Sequence, residues 1–185
     1  MLDAAVPATV QALLDQLDPT PAYVVGPLGN VVATNAAWRT LVSPLGLLDV
    51  PNLVRHVFLH PDARTIYPAW DQEADAQVAH LHHGHHLLTD DPAFTGLLAE
   101  MLEVPAFAQR WNAHRTAQPR SGPTVIHHPD VGDLQIDREA LRLAEHDQQL
   151  IAWLPADDAT ADALRRATVT EHPVSPAHLR VVGQG

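Results

Sequence analysis

The sequence predicts an α+β fold: a five-stranded antiparallel sheet, helices inserted between strands 2 and 3, and an amphipathic helix at the N-terminus. Two observations carry this prediction. The apolar residues repeat with a helical period early, switch to a strand-and-turn pattern around residues 23–33, return to the helical period, and become strand-like again after residue 122. The last three strand candidates are joined by short turns, so they form an antiparallel meander, and the first hairpin joins the same sheet because a lone hairpin is marginal. One sheet with its helices gathered in a single insertion is an α+β layer.

The elements follow in order. Val6, Val10, Leu13, Leu14 and Leu17 share one face of a helix over 3–17, with Asp3 as its cap and Asp18-Pro19-Thr20-Pro21 as its stop. Tyr23, Val24 and Val25 form one arm of a hairpin and Val31, Val32 and Ala33 the other, with the turn at Gly26-Pro27-Leu28-Gly29-Asn30. Asn35 caps a helix to about Leu41, and Ser43-Pro44-Leu45-Gly46 breaks it. A short helix covers 51–58. Residues 62–83 form a longer unit that restarts at Pro68 and ends near Gly84, with Ile66, Trp70, Ala74, Val78 and Leu81 on one side. Asp91-Pro92 starts a helix carrying Phe94, Leu97, Leu98, Met101 and Leu102, and Pro105 starts another with Phe107 and Trp111. Strands are expected over 124–128, 133–143 and 149–154, then a helix over 158–167 and a loosely ordered tail. The division is a connecting helix over 1–21, the main domain over 22–156, and a helix and tail over 157–185.

Composition narrows the function. The chain has 185 residues, enough for one domain, and 46% of them are hydrophobic. Charged residues are 18%, below the roughly one quarter of typical soluble domains. All 11 basic residues are arginine, and 22 carboxylates bring the net charge to −11. Such a chain has no general affinity for nucleic acid phosphates or anionic membrane. Zero cysteine excludes a disulfide scaffold, a thiolate zinc site, an iron–sulfur cluster and a cysteine nucleophile. No apolar run reaches the roughly 18 residues of a membrane span, and MLDAAVPATV does not read as a signal peptide. A cytoplasmic protein without a cofactor is expected. Full protonation of the 13 histidines would carry the charge from −11 to +2.

Catalytic motifs are absent. None of Ser43, Ser121 and Ser175 lies in GxSxG, and there is no HExxH, GxGxxG or Walker A loop. Asp90-Asp91 and Asp157-Asp158 fit helix caps. In the run His80 to His86, His82 and His86 would stand four apart on a continuous helix, a metal-chelating spacing, which Gly84 interrupts. A helix end is the plainer reading of that run. Alternation turns one of His127 and His128 inward as a structural histidine.

The order of strands and helices matches the PAS domain, a small-molecule sensor fold. Beyond that, several stretches together resemble the C-terminal ligand-binding domain of MmyB-like transcription regulators, which are helix-turn-helix proteins of the Xre type. They include Leu17-Asp18-Pro19-Thr20-Pro21-Ala22-Tyr23-Val24, Asn35-Ala36-Ala37-Trp38, Asn52-Leu53 and Phe58-Leu59-His60-Pro61-Asp62-Ala63-Arg64. Further on come Tyr67-Pro68-Ala69-Trp70, Asp90-Asp91-Pro92, Phe107, Trp111, His114, Arg120-Ser121-Gly122 and His128-Pro129-Asp130-Val131-Gly132-Asp133-Leu134. They cover about residues 10–156 in the family's order. Thr34 and Arg115-Thr116 depart from the family's usual residues, and no helix-turn-helix domain is present in this chain. The resemblance implies a PAS-like, non-enzymatic domain that binds a fatty-acid-like ligand, with DNA contacted only through a helix-turn-helix domain.

On that reading the ligand lies between the sheet and its helices. The helical lining is Phe94, Leu98, Met101, Leu102, Phe107 and Trp111, and the sheet supplies Val125, Leu134, Ile136, Leu141, Ile151 and Trp153. The same side chains could equally form plain core. Arg110 and His114, four apart, are the expected partners of a carboxylate head. Burying about a dozen methylenes at about 0.8 kcal/mol each gives roughly 10 kcal/mol gross. Ordering costs reduce that to about micromolar affinity. The helix over 3–17 would pass the ligand's effect to the DNA-binding domain, and its apolar stripe suggests a homodimer contact. Two alternatives stay open: a metal-responsive module built on residues 80–86, and a small hydrolase or isomerase with an unrecognised site.

Overall fold

Helix boundaries in this chain are set by prolines and by short polar side chains that satisfy the first N–H groups of a helix. The computed structural model describes residues 6–88, 90–113, 121–143 and 147–168, with only the backbone at 86 and 87. Helix α1 is Ala8–Gln16 and begins later than residue 3, because Pro7 stands at its N-cap and its carbonyl accepts from Val10 and Gln11. The expected cap Asp3 lies outside the described residues. Strands β1 (Ala22–Val25) and β2 (Val31–Thr34) make the expected hairpin. Helix α2 (Ala36–Val42) leads into a short 3-10 turn, Ser43–Leu45, which ends on Gly46 at φ 74°. Helices α3 (Leu53–Leu59), α4 (Ala63–Ile66), α5 (Trp70–Leu88), α6 (Pro92–Leu102) and α7 (Pro105–Asn112) follow. Strands β3 (Gly122–His128), β4 (Gly132–Arg142) and β5 (Gln149–Pro155) precede α8 (Asp158–Thr168). The expected turn at 145–146 and the tail from 169 lie outside the described residues.

The cap residues also tie elements together. Asn35, fully buried, accepts from Trp38 N and from Ala22 N and donates to the Thr20 carbonyl. One side chain thus joins the start of β1, the start of α2 and the connector after α1. Asn52 does the same for α3, accepting from Arg55 N while its amide donates to Leu28 O and Asn30 Oδ1. Asp91 caps α6 through the N–H groups of Ala93 and Phe94.

Helix α5 differs from expectation. It does not end at Gly84 but continues to Leu88. Gly84 is there for close approach: a Cβ at this position would lie 3.0 Å from the Pro27 carbonyl oxygen. The absent side chain lets α5 press against the hairpin turn, and His80 Nε2 donates to Gly26 O at 2.9 Å in the same contact.

The sheet order is β2-β1-β5-β4-β3, and every pairing is antiparallel. Its two faces are covered differently. Leu14 of α1, with Val6, Val10 and Leu17 beside it, packs on Ala22, Val24 and Leu150 of the back face. Most of the apolar stripe of α1 is therefore covered within the chain, while Leu13 of the same stripe stays exposed. On the front face Tyr23, Val25, Ile126, Leu134, Ile136, Ile151 and Trp153 pack against α2, α3, α4, the first turns of α5, and α8. A second cluster lies beyond: Val78, Leu81, Phe94, Leu97, Met101 and Phe107, closed by Leu28 and Val54. Phe58 touches both, with its ring 5.6 Å from Trp70 and 5.2 Å from Phe107. Among the described residues no helix is long and apolar enough to cross a membrane.

Two helix glycines should respond oppositely to substitution. Gly84→Val forces α5 off the hairpin turn and should cost about 1–3 kcal/mol by overpacking. Gly96, in α6 with nothing within 4 Å of an added Cβ, should gain about 0.4–1 kcal/mol as Gly96→Ala. Urea unfolding of the two variants beside the wild type measures both.

Candidate functional site

Strand alternation sends every second side chain of β4 to the front face. Leu134 and Ile136 point there, and so does the next residue in that series, Arg138. A guanidinium on a covered sheet face needs a counter-charge. Glu73, on the first turn of α5, provides it: Arg138 Nη1 stands 2.8 Å from Glu73 Oε2, with side-chain exposures of 13% and 6%. Gln77, one helical turn further along α5, donates to Glu73 Oε1 at 2.6 Å. The pair thereby locks α5 onto β4.

Aromatic rings surround the pair. Trp153 of β5 lies directly opposite Arg138 in the sheet register. Tyr23 of β1 meets Trp153 edge-on at 6.2 Å and Trp38 of α2 at 5.0 Å. Three buried donors of this group have no hydrogen-bond partner: Trp38 Nε1, Trp153 Nε1 and Arg138 Nε. Trp153 also lines a cleft of about 160 Å³ between Pro19–Pro21, Pro155 and α8.

Tyr67 and His56, which lie within the electrostatic reach of Glu73, form a second buried polar group. His56 Nε2 is 2.8 Å from the Leu45 carbonyl, which can only accept, so this nitrogen carries the proton. His56 Nδ1 then accepts from the Tyr67 hydroxyl at 3.0 Å. Burial lowers the His56 pKa from its ordinary value, helped by the stacked His60 and opposed by the Leu45 hydrogen bond and Glu73. Burial, with the nearby Glu73 carboxylate, pushes the Tyr67 phenol well above its ordinary range. For Arg138, burial opposes the charge, but Glu73 and the phenols of Tyr23 and Tyr67 outweigh it, so the guanidinium is held charged.

The residues expected to line a single pocket fall into separate places. Leu134, Ile136, Ile151 and Trp153 share the front face. Val125 does not: its neighbour Ile126 pairs with Leu134 and is the inward one, which leaves Val125 on the back. Leu141 pairs with Leu150 on the back face and is 53% exposed. Phe94, Met101 and Phe107, with Leu98 and Trp111 beside them, belong to the second cluster, and Leu102 is exposed. The layer that covers the front face is thus α2, α3, α4, the start of α5 and α8, with the apolar stripes of α6 and α7 in the second cluster. The reason is the length of α5, whose first half meets the sheet and whose second half carries the last two helices.

Arg110 is already occupied: Nε lies 2.9 Å from Asp75, Nη2 pairs with Asp71, and the guanidinium sits 4.8 Å over Trp70. It fastens α7 to α5. His114 lies outside the described residues. The histidine run is likewise engaged residue by residue. His82 stacks on Trp111 at 3.8 Å and bonds its carbonyl, His83 Nε2 accepts from Arg142, and His85 packs on Phe94 and Trp111. The side chain of His86 lies outside the described residues. Among the described residues, no three or more His, Asp or Glu side chains come together to hold a metal. His128 is the inward histidine of its pair and bonds Leu41 O, while His127 pairs with Asp133 at 2.6 Å.

Sequence reasoning missed Glu73 and Arg138. The signal for Arg138 was present in the alternation of Leu134, Ile136, Arg138 and Ala140 against Gln135, Asp137 and Glu139. No local signal marks Glu73 as its partner.

The antiparallel order 2-1-5-4-3, with helices inserted between β2 and β3 and an inward-facing polar group on the covered face, defines a PAS-like ligand-binding domain. The chain belongs to the MmyB-like transcription regulator ligand binding domain family, whose model matches residues 6–167. No curated protein matches the chain.

Two stability predictions follow from the geometry. Arg138→Met alone leaves Glu73 buried without its cation and should cost about 3–5 kcal/mol, whereas Arg138→Met with Glu73→Leu should recover most of that loss in a double-mutant cycle. His56 is held neutral in the fold, so the unfolded chain takes up its proton first. Stability is full above the ordinary histidine value of 6.5 and falls as pH drops through it toward the lower folded value. Thermal melts at pH 7.5 and 5.5 should show a smaller pH dependence for His56→Gln than for the wild type.

Proposed function

We propose that this chain is the sensor of a DNA-binding transcription regulator and that its ligand is an apolar small molecule of the fatty-acid type. Family membership supports a regulatory ligand-binding domain. One observation in the fold favours a ligand on the covered sheet face: the buried indole N–H groups of Trp38 and Trp153 have no hydrogen-bond partner in a layer whose other side-chain polar groups include the paired Arg138–Glu73 and Tyr67–His56. Such groups are rare in finished cores, where the large majority find a hydrogen bond. A molecule with an apolar body and a few acceptor atoms fits this lining.

On this reading the domain is a switch and not a catalyst. It acts in the cytoplasm, and DNA is contacted by a separate helix-turn-helix domain. The metal-responsive alternative is weakened because His82 and His85 pack on Trp111 and His83 bonds Arg142, and no three His, Asp or Glu side chains come together among the described residues.

Native mass spectrometry of the untagged protein tests the proposal. A bound organic acid or lipid is the expected result. Stoichiometric zinc that disappears in His82→Ala would overturn it in favour of the histidine-based module. An added ligand at about 100 times its Kd should also stabilise the fold by about 2.7 kcal/mol, read as a rise in melting temperature.

A further inference from the structure

We propose that Arg138 reads the acidic head of the ligand, and that this head takes Glu73's place on the guanidinium, so that the Arg138–Glu73 pair is itself the switch. The inference rests on the reading of the chain as a sensor of apolar acids.

The way Arg138 is paired points to an unfinished site. Elsewhere in the molecule Arg55 grips Glu100 in a forked arrangement, with Nε at 3.0 and 3.1 Å from the two carboxylate oxygens and Nη2 at 2.7 Å. That pair lies at the surface, where such bonds contribute little. Arg138 is far more buried, yet its Nε is left without a partner. A planar guanidinium is shaped for two parallel bonds to a carboxylate. A ligand carboxylate on Arg138 would engage the Nε that Glu73 leaves unused. Trp153, directly across the sheet from Arg138, carries a further unpartnered indole N–H, and Trp38, in contact with the same Tyr23 ring, carries another. The cleft along Trp153 brings apolar surface (Pro19, Pro21, Pro155 and Leu164) to the outer side of the same residue, where an acyl chain can enter.

Glu73 has somewhere to go. Its carboxyl keeps the hydrogen bond from Gln77 on the same helix. One proton taken up from solvent by that carboxyl keeps the buried charge balanced once the ligand's negative charge is on Arg138. The exchange uncouples α5 from β4. Because α5 carries α7 through Asp71 and Asp75, the effect spreads to the outer helices as a change of population between two packings.

The test compares dodecanoate with 1-dodecanol, both below their aggregation limits, by calorimetry and by melting temperature. The proteins are the wild type, Glu73→Gln, and the uncharged double variant Arg138→Gln/Glu73→Gln, which avoids a lone buried charge. The wild type should prefer dodecanoate by about tenfold or more, the worth of a charge-assisted hydrogen bond. Glu73→Gln should bind dodecanoate more tightly than the wild type and gain more melting temperature from it, because the competing carboxylate is gone. The double variant should bind both probes alike, with the dodecanol affinity of the wild type. A preference for dodecanoate that survives in the double variant, or weaker dodecanoate binding by Glu73→Gln, overturns the assignment of Arg138. Equal binding of both probes by the wild type also overturns it while leaving the apolar-ligand reading intact. If the wild type binds neither probe, both fall.

Discussion

A charged side chain on the covered face of a sheet constrains everything packed above it. Arg138 cannot be left alone in that layer, so an acidic group has to arrive from the opposing helices, and Glu73 does so from the first turn of α5. This fixes the rotation of α5 about its axis and its position along β4. Gln77 then orients Glu73, while Tyr67 and His56 form a separate polar chain to the Leu45 carbonyl in the 3-10 turn. Buried pairs of this kind add little net stability, since desolvation offsets most of the attraction. Their effect is selectivity among packings: any arrangement that separates the two charges is strongly disfavoured.

The division of the core follows from the same helix. At 19 residues α5 is longer than the sheet face requires. Trp70 and Ala74 near its start belong to the sheet-side cluster, and Val78 and Leu81 belong to the outer one. Trp70 donates to the Val57 carbonyl and lies beneath the guanidinium groups of Arg64 and Arg110. The outer helices are thus held to α5 by charge and aromatic contacts, and a change at the Glu73 end of α5 reaches them without any element having to unfold.

The histidines that stand out in the composition divide along this architecture. His80 anchors α5 to the hairpin turn, and His82 and His85 pack against the rings of α6 and α7. His128 fastens β3 to the end of α2. They serve as flat, hydrogen-bonding packing groups. The charge of −11 leaves the chain without general affinity for nucleic acid phosphates.

Much of this was legible in the sequence. Periodicity placed five strands and the helices between them, and the caps at Asn35 and Asp91 were readable because capping is a contact among residues three apart. The even-numbered series in β4 carried the signal that Arg138 faces inward and Leu141 outward, although sequence reasoning put Leu141 in the lining and missed Arg138. Other features could be settled only by the tertiary structure. Gly84 looks like a helix end until the Pro27 carbonyl is seen beside it. Phe94, Met101 and Phe107 form a good apolar stripe whichever surface they meet. Local sequence reports which face of an element avoids water, because that depends on the repeat of its own backbone. It does not report what the face packs against, because Glu73 meets Arg138 across 65 residues of chain only once the helices between them are in place.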